Sequence, residues 1–224
     1  MTAVLVLAFD TATSAVTVAL YEWRPGDTVY ARGSVRGMGR QRHAEVLTPS
    51  ISQVLAEAGA SPRQLRAIAV GVGPGPYTGL RVGLATAHAL GDALKIPVHG
   101  VCTLDAVAWA TGSDEPFVVA TDARRKEVYW ARYDSYARRV TEPAVGPPAE
   151  AAEPGLPVYG EGAALYPAVL GEPREPLMPS AAAIAEIAII RLSGRPGLPL
   201  LAPEPLYLRR PDAQEIGPRK KAIQ

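Results

Sequence analysis

The stretch Ala67–Leu94, AIAVGVGPGPYTGLRVGLATAHALGDAL, decides how the chain reads. A β-branched apolar run (Ile68, Val70, Val72) enters a turn of Gly71, Gly73, Pro74, Gly75 and Pro76 and leaves as a helix with almost no charged face. Strand, tight loop and helix follow from that pattern. The loop has two readings: glycines that bring the helix-opening amides near Thr78 and Gly79 up to an anion or a partner's carboxylate, or a plain strand-to-helix turn. After Gly71 and Gly73, the third glycine of a dinucleotide fingerprint would fall on Pro76. No Lys-Ser or Lys-Thr follows, so neither a Rossmann nor a P-loop enzyme is expected. In the helix, Gly79, Gly83, Ala87 and Gly91 recur every fourth residue, with Ala85, Ala89 and Ala93 as a second stripe beside them. Such small side chains let another helix pack closely. Glycine costs about 1 kcal/mol in a helix relative to alanine, so several of them need a packing reason. Core burial and a partner interface both supply one.

Outward from this stretch, 224 residues with 48% hydrophobic content support real cores in one large or two small domains. With 23 basic against 22 acidic residues, the chain has no global field to draw it to nucleic acid or membrane. One cysteine, Cys102, rules out an internal disulfide framework and fits a reducing compartment. No Lys or Arg precedes Arg24 and Asp10 interrupts the apolar opening. No secretory signal is therefore expected, and the expected compartment is the cytoplasm. No run of about 18 apolar residues supports a membrane span.

Upstream, Ala3–Phe9 has the continuous apolar character of a strand buried on both faces, and Ala15–Tyr21 completes a hairpin. Its turn holds Asp10, Thr11, Thr13 and Ser14, a carboxylate and three hydroxyls suited to a phosphate or hydrated metal, or to capping their own backbone. A third strand is expected at Thr28–Ser34. Ala44, Leu47, Ile51, Val54, Leu55 and Ala58 then fall at helical spacing up to Gly59, with His43 at the entrance. Downstream come a strand from Pro97, a helix capped by Thr103 and ending near Trp109, and a polar boundary at Thr111–Pro116. The order is that of an α/β unit, so residues 1–112 are expected as one α/β lobe and 113–224 as a smaller one. The second unit reads as strands at Phe117–Thr121 and Val128–Tyr133 around a charged turn, Asp122–Lys126. A loop at Thr141–Pro157, a strand and turn at Val158–Gly162, a helix from Ser180 to Gly194 and a basic tail (Arg209, Arg210, Arg219, Lys220, Lys221) complete it. Asp10 and Asp122 stand at two strand ends and could pair. No zinc-type Cys and His cluster, nucleophile elbow or glycine-rich lysine loop occurs in the sequence.

Five segments in order, FDTATSAVTVAL (9–20), RQRHAEVLTPSI (40–51), GVGPGPYTGLRVGLATAHAL (71–90), DARRKEVYWARY (122–133) and YLRRPDA (207–213), resemble the TsaB (YeaZ) family. That family is the dimerization subunit of the bacterial machinery that makes N6-threonylcarbamoyladenosine at adenosine 37 of tRNAs reading codons that begin with A. The resemblance implies a two-lobed actin-, Hsp70- and sugar-kinase-like α/β fold with a degenerate second lobe. The H-x-x-x-H metal pair of the catalytic relative TsaD would fall here on Gly100 and Leu104, so no metal site and no catalytic residue is implied. Asp10, Thr11, Thr13 and Ser14 become half of a degenerate nucleotide clamp, with Gly160–Ala163 as a weak remnant of the rest.

The implied role is a scaffold that pairs with TsaD and recruits TsaE, pairs with its own copy when alone, and meets tRNA through the complex. It implies no cofactor of its own, with ATP or ADP at the TsaD and TsaE contacts. The implied partner interface is His43, Leu47, Ile51 and Leu55 on the first long helix with Leu80, Gly83, Leu84 and Ala87 on the second. Two rival readings are an active ATP-dependent small-molecule kinase of the same fold and a glycoprotease-like peptidase.

Overall fold

The computed structural model describes residues 3–24, 29–38 and 43–209. The tail residues Arg210, Arg219, Lys220 and Lys221 lie outside the described residues. Strands β1 (Val4–Asp10), β2 (Ala15–Trp23) and β3 (Val29–Met38) form an antiparallel meander. Helix α1 (His43–Glu57), strand β4 (Leu65–Gly71), helix α2 (Tyr77–Leu94) and strand β5 (Val98–Val101) add parallel strands on the other side of β1. The five-stranded order is β3-β2-β1-β4-β5. The third strand runs to Met38, beyond the expected Ser34, because its pairing with β2 continues to Ala15.

The continuous apolar run of β1 has the physical cause the sequence suggested, two covered faces. Leu7 and Phe9, with Ile68 and Val70 of β4, pack under α1 and α2. Their neighbours Val6, Ala8, Ala67 and Ala69 pack under helix α7 (Ala181–Leu192). The small side chains on that face let Ile184 and Ile187 come down onto the sheet. Ser180 caps α7 by accepting a hydrogen bond from the Ala182 amide at 3.2 Å.

Helix α3 (Thr103–Thr111) leads from β5 to a second sheet formed by β6 (Phe117–Asp122), β7 (Val128–Tyr133), β8 (Ala144–Gly146) and β9 (Val158–Tyr159), in the order β8-β7-β6-β9. Helices α4 (Pro148–Ala151), α5 (Glu161–Leu165) and α6 (Pro167–Leu170) cover one face. Leu104, Val107 and Ala108 of α3 cover the other with Phe117 and Tyr133. The segment read as a loop, Thr141–Pro157, contains β8 and α4, elements too short for their periodicity to show. Chain order and packing part company at α7. It follows the second sheet in sequence, yet it lies on the first, held by Glu186, which accepts from Trp109 Nε1 at 2.8 Å and Tyr21 Oη at 3.3 Å.

Candidate functional site

The β1–β2 turn is buried and its polar groups are bonded within the chain. Asp10 Oδ1 accepts from the Ala12 amide at 2.8 Å, and Oδ2 accepts from Thr103 Oγ1 at 2.7 Å. Thr11 Oγ1 donates to the Gly79 carbonyl at 2.8 Å, and Thr13 Oγ1 accepts from the Ala15 amide at 3.3 Å. Ser14 Oγ donates to Glu161 Oε1 at 3.2 Å, tying the turn to α5. His43 Nε2 bonds the Thr13 carbonyl at 2.8 Å. Burial pushes the Asp10 carboxyl above its ordinary range, against the hydrogen bonds from Thr103 and Ala12 and the nearby His43. The residues expected as a clamp, Asp10, Thr11, Thr13 and Ser14, thus form a knot of bonds within the chain. A phosphate could reach it only by displacing these bonds, and Asp10 and Thr11 are fully enclosed. Thr103, expected as a cap, lies inside α3, where its hydroxyl also accepts from the Gly73 amide at 3.1 Å. Asp122 is engaged elsewhere, in an ion pair with Arg124 at 3.0 Å.

The glycines of α2 answer to this knot. A side chain on Gly79 would collide with the Thr11 carbonyl, and one on Gly83 with Thr11 Oγ1. Their stripe is the inward face of the helix. The expected interface residues share that fate: Leu47, Ile51, Leu55, Leu80, Leu84 and Ala87 are buried in this chain's own core, and Gly83 is buried with them. Most of their surface is spent inside this chain's own fold. His43 is half-buried and engaged with Thr13.

What the two helices present outward is different. On α1 these are Ala44, Thr48, Ser52 and Ala56, and on α2 Ala85, Ala89 and Ala93, all exposed. Both sets recur every fourth residue, and Ala85 is two residues from Gly83. At 3.6 residues per turn the two small-residue stripes of α2 lie on nearly opposite sides rather than side by side. Between α1 and α2 runs a groove of about 390 Å³, lined by Ile51, Leu55, Leu90 and Ala89 among others. Thus Ile51 and Leu55 line the groove while burying most of their surface within the fold.

Among the described residues, no group of three or more His, Cys, Asp or Glu side chains could hold a metal ion. No described helix is long and apolar enough to cross a membrane. The thiol of Cys102 is buried, and that burial, with Asp105 nearby, pushes its pKa up to about 12.

The family model described as TsaD, tRNA N6-adenosine threonylcarbamoyltransferase, matches residues 33–167. An uncharacterized protein of Mycobacterium leprae is 45% identical over 213 residues, which are 95% of this chain and 56% of that protein. The tRNA threonylcarbamoyladenosine biosynthesis protein TsaB of Escherichia coli is 37% identical over 131 residues, 57% of this chain and 54% of its own length. This chain thus spans little more than half the length of either relative. The solved structure of YeaZ from Pseudomonas aeruginosa is 29% identical, with a TM-score of 0.72, covering 93% of this chain and 100% of that one. Its mixed α/β plan is the one described above. The chain belongs to the TsaB (YeaZ) family.

Proposed function

We propose that the chain takes part in forming N6-threonylcarbamoyladenosine at adenosine 37 of tRNAs that read codons beginning with A, as a subunit without chemistry of its own. It docks on a TsaD-like partner through the outer faces of α1 and α2, recruits a TsaE-like ATPase, and pairs with its own copy when alone. ATP or ADP belongs to the TsaD and TsaE contacts, and the tRNA is met through the complex, in the cytoplasm. The name of the E. coli relative supports the pathway. The observation that carries the docking role is the exposed small-residue face of α1 and α2 around its groove. Small side chains bring helix axes toward the short end of the 8–10 Å range, which favours a helix-on-helix contact. The knot at Asp10 supports the non-catalytic reading, because Asp10 and Thr11, which would hold a phosphate, already bond Ala12, Thr103 and Gly79. The two sheets, each with helices against it, support an actin-, Hsp70- and sugar-kinase-like ancestry. In that reading the lobes fall at 1–112 and 113–224, and α7 returns to the first.

The test is a reconstituted reaction of a TsaD-like enzyme, tRNA and a source of threonylcarbamoyl-adenylate, with and without this chain. A gain in modified adenosine only when the chain is added is the expected result. No gain, or ATP consumption by the purified chain alone, contradicts the proposal.

A further inference from the structure

The groove between α1 and α2 is deeper than two packed helices require. Its rim is small or hydroxylated: Thr48 and Ser52 on α1 and Ala89 on α2 are exposed, and Thr86 is half-buried beside them. Its floor is the first sheet, where Leu7 of β1 and Leu65 of β4 are 0% and 1% exposed and still line it. Among the described residues, no charged side chain lines the groove. The Thr86 hydroxyl is committed to its own helix, donating to the Val82 carbonyl at 2.8 Å. The group that such a groove receives best is therefore apolar. A cavity of about 150 Å³ lined by apolar side chains already takes a benzene ring. With about 390 Å³, this one has room for a whole leucine or phenylalanine side chain.

The chain has no such group to offer a second copy of itself through this face. Among the described residues, α1 exposes no valine, leucine, isoleucine or aromatic side chain. On α2 only Tyr77 is exposed among these types; it is stacked on Tyr207 and lies about 18 Å along the helix from Ala89. Two copies meeting face to face therefore set small side chains against small side chains and leave both grooves unfilled. Vacant apolar space forfeits the contacts that its lining atoms would make. A partner helix that carries a bulky apolar side chain regains them.

We propose that the groove is a socket for one bulky aliphatic or aromatic side chain carried on a helix of the proposed TsaD-like partner, and that this side chain makes the partner, not a second copy, the preferred occupant of the face. The inference rests on the docking role given above to the outer faces of α1 and α2. The small rim residues let the partner helix approach until its side chain reaches the floor at Leu7 and Leu65. An apolar anchor seated in a desolvated pocket carries much of the binding energy of an interface. A pair of identical copies has the surrounding contact without the anchor, so it is the weaker assembly.

The test is methyl-resolved NMR of the full chain titrated with the TsaD-like partner, joined to affinity measurements for the partner and for self-association. Partner binding should shift the methyl signals of Leu7 and Leu65, whereas self-association at high protein concentration should shift those of Thr48 and Ala89 at the rim and leave the floor in place. Thr48→Val, which keeps the shape of the rim and removes a hydroxyl, should tighten partner binding about threefold. Ser52→Leu, which fills the groove from its exposed rim, should weaken partner binding about tenfold or more, with the melting temperature almost unchanged. The same variant should leave self-association within about twofold, since two copies do not use the socket. Absence of partner binding by the unaltered chain overturns the docking role and the socket with it. Partner binding that leaves the Leu7 and Leu65 methyl signals unmoved overturns the socket alone. So does weaker partner binding by Thr48→Val, unchanged partner binding by Ser52→Leu, or a loss of self-association in Ser52→Leu equal to its loss of partner binding.

Discussion

At Gly83 the absence of a side chain is a packing requirement, since a Cβ would enter the space of Thr11 Oγ1, a buried hydroxyl already committed to the Gly79 carbonyl. Alanine there gains about 1 kcal/mol of helix propensity but meets an overpacking cost of about 1–3 kcal/mol. A net loss of up to about 2 kcal/mol is therefore expected for Gly83→Ala in urea denaturation. Gly79→Ala should lose more, because its clash is with the Thr11 backbone carbonyl. Asp10 gives a pH signature. Its folded pKa lies above 3.8, the unfolded value. In the window between those two values the folded state holds more protons than the unfolded one, so this group's contribution to stability falls as pH rises. The unfolding free energy of the wild type relative to Asp10→Asn, which cannot titrate, should accordingly decline as pH is raised from below 3.8 toward neutrality. A pH-independent difference contradicts the assignment. Cys102, fully buried with its pKa pushed up to about 12, should resist alkylation at pH near 8 until the protein is unfolded.

Among the elements, α7 depends on Ser180, and Ser180→Ala is expected to cost about 1 kcal/mol in thermal or urea unfolding. The helix and its cap were legible in the sequence, as were β1, β2, β6, β7 and the strand–loop–helix from β4 to α2, because each has a long apolar period or a clear stop. Its position was not. Four alanines on one face of the first sheet (Ala8, Ala19, Ala67, Ala69) carry no mark of which helix will cover them. The elements β8 and α4 were hidden in a segment rich in proline, alanine and glutamate, where three- and four-residue elements leave no period to read. The turn at Arg124–Lys126 reads from composition as a charged hairpin tip. Its positive φ values, which oppose its residue types, are visible only in the fold.

For the whole molecule, the sequence showed that α2 has two small-residue stripes but not which of them faces out. Both fit a helix contact, and the inward one was taken by the β1–β2 turn, whose buried hydroxyl at Thr11 needs the space that Gly79 and Gly83 leave. The same knot takes up the polar groups of Asp10, Thr11, Thr13 and Ser14, whose residue types also suit a ligand site. A partner surface formed by Ala85, Ala89 and Ala93 with Thr48 and Ser52 makes a demand that a buried one does not: it can be altered without unfolding the chain. The most direct measurement is calorimetric titration of the full chain with the proposed TsaD-like partner, comparing the unaltered protein with Ala89→Arg. The account predicts an affinity loss of about 100-fold or more, with unfolding free energy within about 0.5 kcal/mol of the unaltered protein. Unchanged affinity with an intact fold contradicts it.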